Sequence, residues 1–197
     1  MSKDKKNMEE IMKKYLTFNT KTIVATAIGA AIFTLLFMFV KIPSPVPNTS
    51  FQTAYGVSAF FGVIFGPLAG GLIAFIGHAI SDAVQFGSPW WSWVIASGVA
   101  SLIFGLAYKS TSVEDGEFTT KDIVRFNVIQ IVGNVIAWLL IAPVLDIVIY
   151  AEPSNLVFTQ GALAAVSNAI STGVIGTLLL IAYAKTRTGK GSLSKRV

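Results

Sequence analysis

Nineteen consecutive residues, Thr22–Val40 (TIVATAIGAAIFTLLFMFV), carry no charge and lie between Lys21 and Lys41. An apolar run of that length reaches across the roughly 30 Å hydrocarbon core of a bilayer as one helix. More apolar runs follow, and helix breakers fall between them: Pro43, Pro45 and Pro47, then Gly66-Pro67, then Ser88-Pro89, and Pro153. This pattern predicts helices over about residues 22–40, 51–65, 67–84, 91–108, 122–145 and 158–184, with Pro143 ending or kinking the fifth. In lipid every backbone polar group needs an internal partner, so helices are the natural form of these runs. The expected fold class is an all-α membrane protein, a six-transmembrane-helix bundle.

The basic residues give that bundle an orientation. With six spans both termini share a side. That side holds fourteen of the fifteen lysines and arginines, and only Lys41 falls on the other. By the positive-inside rule the N and C termini are cytoplasmic. The expected organisation is a basic cytoplasmic segment over 1–21, one membrane domain over 22–184 and a basic cytoplasmic tail over 185–197. Met8, Ile11, Met12, Tyr15 and Leu16 have helical spacing, so residues 8–18 read either as an amphipathic helix on the membrane surface or as a frayed tail.

Composition narrows the function. Hydrophobic residues make up 53% of the 197 positions and charged residues 13%, against about 25% charged in a soluble domain. The first apolar run is too long for a signal-peptide core, and its small residues cluster at its beginning, so it is expected to stay as the first span. The net charge of +5 does not argue for nucleic acid, because the basic residues flank the apolar runs, where lipid headgroups attract them. Cysteine is absent, which excludes disulfides, thiolate metal sites and a cysteine nucleophile. His78 is the only histidine, so a site with several histidine ligands is excluded. There is no Walker motif, no HExxH and no GxSxG. No metal or cofactor is expected.

Polar groups inside a bilayer are costly, which makes them candidates for function. His78 and Asp82 are four apart, hence on one helix face, either as a ligand-reading pair or as a packing pair. Trp90, Trp91 and Trp93 follow closely, as interface anchors or as stacking surfaces for a flat ring. Asn134 and Trp138 share a face of the fifth helix, and Gln160, Ser167, Asn168 and Ser171 form a stripe on the sixth. Interhelical hydrogen bonding is the alternative for the amides. Asp146 and Glu152 read as solvated loop charges. The proline-rich loop Lys41–Gln52 reads as a stiff, extended segment, either a plain connector or a lid to which Asn48, Thr49 and Gln52 bring hydrogen bonds. Ala27 and Ala31, Ala25 and Gly29, and Gly62, Gly66 and Gly70 repeat at four-residue spacing, which permits close helix contacts.

Four stretches together resemble a known family: IVATAIGAAIF, IPSPVPNTSFQTAY, FGPLAGGLIAFIGHAISDA and GSPWWSWVIASG, spanning roughly residues 22–105. The sequence resembles the membrane-embedded substrate-binding (S) components of energy-coupling factor (ECF) transporters, which take up vitamins and related micronutrients in prokaryotes. It is most similar to a group of short bacterial membrane proteins within that superfamily. The resemblance implies six helices, cytoplasmic termini and a pocket open to the outside. It implies as partners a transmembrane coupling subunit and two ABC-type ATPases, with Ala27 and Ala31 on the surface that meets the coupling subunit. It also implies that the subunit topples in the membrane to deliver its vitamin. Asn48, Gln52, His78, Asp82, Trp90, Trp91, Asn134, Trp138, Gln160 and Asn168 are the expected substrate-binding residues. They suit a small flat heterocycle with several hydrogen-bonding groups. Hydroxymethylpyrimidine or pyridoxine is favoured, and riboflavin is the alternative. Two other classes remain in view: a solitary carrier, or an intramembrane enzyme using His78 and Asp82 as acid and base.

Overall fold

The computed structural model describes residues 19–187. The surface helix expected over residues 8–18 and most of the C-terminal basic tail lie outside them.

The first helix, α1 (Thr20–Phe39), begins where the Asn19 side chain accepts a hydrogen bond from the Thr22 amide at 3.0 Å. A two-stranded antiparallel hairpin follows, β1 (Lys41–Pro43) and β2 (Ser50–Gln52), with Ile42 opposite Phe51. The second helix therefore starts later than its hydropathy suggested. Residues 51 and 52 extend in β2, and α2 runs Ala54–Phe65. The loop before it is a folded hairpin rather than a plain extended connector.

Gly66 carries the chain from α2 into α3 (Pro67–Phe86) with φ +104°, a conformation open to glycine and not to side-chain-bearing residues. Pro67 stands in the first turn of α3, where its missing N–H costs nothing. Helix α4 spans Trp91–Phe104 and tightens into a 3₁₀ turn over Gly105–Ala107. A second 3₁₀ turn, Val113–Asp115, leads to α5 (Thr120–Ile136). That helix opens on a capping box: Thr119 accepts from the Asp122 amide, and the Asp122 carboxylate accepts from the Thr119 amide at 3.1 Å.

Pro143 does not end the fifth apolar segment. A π turn over Ala137–Ile141 joins α5 to α6 (Ala142–Tyr150), and the wider turn takes up the proline ring and its missing donor. The result is one apolar helix of 31 residues, Thr120–Tyr150. The last helix, α7, spans Ser154–Thr186. Among the described residues four helices, Thr20–Phe39, Pro67–Phe86, Thr120–Tyr150 and Ser154–Thr186, are long and apolar enough to cross a membrane, and Ala54–Phe65 and Trp91–Ala107 are shorter apolar helices beside them.

Helix α3 packs between α1 and α4, and α7 packs against α2 and α5. The interior holds Phe33, Tyr55, Ile73, Phe104, Phe126, Trp138 and Leu180, together with fully buried Ser58, Ser81, Ser92, Ser97, Ser101, Asn134 and Thr172. The exterior is aliphatic, with Ile23, Val24, Ile28, Leu35, Val128, Val148, Ile170, Val174 and Leu178 exposed. An exterior this apolar around an interior this polar belongs in lipid rather than in water.

The two ends of the bundle differ in charge. At one end the start of α1, the end of α2 and the segment Tyr108–Asp115 meet, and Arg187 pairs with Glu114 at 3.1 Å. Lys21, Lys109, Lys121, Arg125, Lys185 and Arg187 lie toward that end. At the other end Lys41 is the only lysine or arginine among the described residues, bonded to Gln85 Oε1 at 2.8 Å.

Candidate functional site: a cavity beneath the first loop

At the Lys41 end lies a cavity of about 620 Å³. The hairpin loop 43–50 roofs it, and the ends of α1, α3 and α6 and the beginnings of α2, α4 and α7 wall it. Of the ten expected substrate-binding residues, eight line it: Asn48, Gln52, His78, Asp82, Trp90, Trp138, Gln160 and Asn168. Residues more than a hundred positions apart meet here, as where Gln160 Nε2 donates to the Pro47 carbonyl at 2.9 Å.

Trp91 and Asn134 are not brought into the cavity wall. Trp91 is 45% exposed on the outer surface of α4, 6.1 Å from the Phe75 ring, and its amide donates to Tyr150 Oη. Asn134 is fully buried one helical turn before Trp138, and its Oδ1 accepts from Trp138 Nε1 at 2.9 Å. Its Nδ2 donates to Gln130 Oε1, also at 2.9 Å. Asn134 thus fixes the indole that faces the cavity.

Asp146 corrects the sequence reading most. Far from a solvated loop charge, it is 2% exposed within α6. Its carboxylate accepts from Trp90 Nε1 at 2.6 Å, from Trp93 Nε1 at 2.8 Å and from the Ser92 hydroxyl. One buried acid thereby orients two of the three tryptophans on the neighbouring helix start. The available signal was the continued apolar pattern through Tyr150, which puts an acid inside a helix rather than after it. Glu152, the other acid read as a loop charge, is half-buried and lines the cavity.

Asp82 accepts from the Trp90 amide at 3.0 Å and faces His78 Nε2 at 3.4 Å. On the far side of the imidazole, His78 Nδ1 lies 2.6 Å from Ser97 Oγ, which is 2.8 Å from Tyr55 Oη. Tyr55 and Ser97 belong to a chain of polar contacts that the hydropathy pattern concealed, because each stands alone in an apolar run. The floor is aromatic: Trp93 and Trp138 stack with centroids 5.8 Å apart, Tyr55 meets Trp138 edge-on at 5.4 Å, and Phe37 lies 4.2 Å from the His78 ring. Gln52 Oε1 and Asn168 Oδ1 are buried without a hydrogen-bond partner. Buried polar atoms are nearly always paired, so these two amides, both on the cavity wall, are candidates to meet a ligand.

Helix α7 approaches this wall very closely. A Cβ on Gly161 would lie 2.1 Å from the Trp138 carbonyl oxygen. Gly161→Ala is therefore expected to push α7 off the π turn and move the Trp138 ring, with a stability loss of about 1–3 kcal/mol from overpacking. Thermal unfolding together with tryptophan fluorescence of the purified protein checks this; an unshifted midpoint and spectrum would contradict it.

A family model for the ECF-type riboflavin transporter S component matches residues 17–185. The chain belongs to this family of S components. It is 55% identical over 177 residues to a UPF0397 protein of Enterococcus faecalis, covering 90% of this chain and 97% of that one. It is 58% identical over 179 residues to a UPF0397 protein of an Exiguobacterium, covering 91% and 98%. A UPF0397 protein of Streptococcus gordonii is 54% identical over 186 residues, covering 93% and 100%. S components are membrane subunits of transporters, not enzymes, and the family implies association with an ECF module. The acid–base reading of His78 and Asp82 falls away with this finding. Among the described residues no group of three or more His, Asp or Glu side chains could hold a metal ion.

Proposed function

We propose that this S component is the membrane-embedded binding subunit of an ATP-driven importer and captures a small, flat, water-soluble vitamin or precursor. The observation that carries the reading is the cavity beneath the first loop. Its volume lies in the range of small-molecule sites, and its aromatic floor and unpaired amides suit a planar heterocycle. Six spans with cytoplasmic termini are part of the proposal, and the asymmetry of lysine and arginine between the bundle ends supports it. In that orientation the cavity opens to the outside, beneath a loop that Gln160 ties down. The partners are a transmembrane coupling subunit and two ABC-type ATPases, and delivery occurs by reorientation of the loaded subunit against the coupling subunit.

Hydroxymethylpyrimidine or pyridoxine is the favoured substrate, because a single ring with several polar substituents suits an aromatic cavity whose wall carries the unpaired amides of Gln52 and Asn168. Riboflavin is the second reading, favoured by the name of the matching family model. A thermal-shift screen of the purified protein against B vitamins and their precursors tests the proposal, since a ligand of the folded state raises the unfolding midpoint. We expect one compound to stabilise the protein, and cells to accumulate it only when the coupling subunit and ATPases are co-expressed. Transport by the protein alone in liposomes, with no vitamin bound, would instead mark a solitary carrier.

A further inference from the structure

The wall of this cavity has a sign. Three carboxylates line it, Asp82, Asp146 and Glu152, against one ammonium, Lys41. Every other lysine and arginine among the described residues lies toward the opposite end of the bundle. Lys41 is itself drawn to Gln85 Oε1 at 2.8 Å. A low-dielectric cleft lined by one sign of charge focuses its field on whatever enters.

The indole N–H and phenol donors on the wall are already engaged inside the protein. Trp90 Nε1 and Trp93 Nε1 donate to Asp146, and Trp138 Nε1 donates to Asn134. The Tyr55 hydroxyl is held by Ser97, and Gln160 Nε2 by the Pro47 carbonyl. With their N–H groups occupied, the indoles on the wall are left with their π systems, which attract positive charge. Glu152 carries no hydrogen bond or ion pair and remains an unspent acceptor, while the side-chain amides of Gln52 and Asn168, residues 8% and 3% exposed, make no hydrogen bond and offer both an oxygen and an N–H₂ group.

Resting on the binding role proposed above, we infer that the cavity selects a positively charged aromatic heterocycle, one with a cationic or protonated ring nitrogen or amine, over a neutral ring of the same shape. The aromatic floor supplies shape, the two amides supply direction, and the surplus of carboxylates supplies the choice between charged and uncharged forms. Glu152 is the specificity-determining acid, because Asp146 is saturated by its three donors and Asp82 is shared with Trp90 and His78.

The test is calorimetric titration of the purified full-length protein with probes matched in shape and differing in charge. 1-Methylnicotinamide and nicotinamide are the matched pair, and thiamine and riboflavin are added as a cationic and a neutral vitamin of different shape. The expected result is that the cation of the matched pair binds at least tenfold tighter than its neutral partner. Glu152→Gln, a half-buried position that should fold normally, is expected to weaken the cation at least threefold and leave the neutral compound within twofold. Raising the salt concentration should weaken only the cation. Equal or tighter binding of the neutral compounds overturns the charge inference and leaves the transporter reading intact. Binding of neither class, together with failure to assemble with the coupling module, overturns both.

Discussion

Replacing Asp146 by alanine is expected to dismantle the binding wall. The carboxylate is buried and accepts from two indole N–H groups and one hydroxyl, all from Trp90–Trp93 at the start of α4. Each hydrogen bond to a charged group is worth about 1.5–3 kcal/mol, and the donors left unpaired inside the wall add a desolvation penalty. Trp90 is 42% exposed, so part of its loss is repaired by water. The expected net loss is about 3 kcal/mol of stability. Ligand affinity should fall by at least tenfold, because Trp90 and Trp93 lose their orientation. Asp146→Asn keeps the shape and one acceptor oxygen and should fall between wild type and alanine. Thermal unfolding and near-ultraviolet circular dichroism of the two variants check this, and a wild-type aromatic signal in Asp146→Ala would refute the clamp.

The second large effect should leave the cavity untouched. Ala27 and Ala31 are exposed on α1, among exposed Ile23, Val24, Ile28 and Leu35, while Ala25 and Gly29 of the parallel small-residue pair are buried against the bundle. Gly29 has no room for a side chain, since a Cβ there would lie 2.5 Å from the Ile73 side chain. The two pairs therefore serve different neighbours: one packs within the subunit, and the other remains open to a partner helix. If the coupling subunit docks there, Ala31→Trp blocks the close approach that small residues allow. Co-purification with the module and ATP-dependent uptake should be lost, while ligand affinity stays within twofold of wild type. A variant that still co-purifies and transports would remove Ala31 from the docking surface. A variant that loses ligand binding would mean that α1 packing, not docking, was disturbed.

The helical plan was readable from the chain because lipid leaves the backbone few choices. Long uncharged runs must hydrogen-bond internally, and Gly66-Pro67 and Ser88-Pro89 divide them cleanly. Errors came where a local signal had two physical outcomes. Pro143 breaks a helix unless the turn before it widens, and here a π turn absorbed it. An acid near an apparent helix end is solvated unless donors from another helix reach it, and here Trp90, Ser92 and Trp93 reach Asp146. Phe51 favours a strand and Gln52 a helix, and pairing with Lys41–Pro43 drew both into a strand.

Chain order alone puts this protein in lipid, sets its basic residues beside the apolar runs, and leaves polar residues where they are expensive. Those properties follow from composition and order along the chain, which no packing can alter. Which of those polar residues meet was settled by packing. Eight came to one cavity, Asn134 turned away to hold Trp138, Trp91 faced outward, and Asp146 turned inward to organise the wall. The reason is geometric: helical periodicity puts a residue on a face, but the neighbour of that face is set by how the helices and the short hairpin pack, through contacts between residues more than a hundred positions apart.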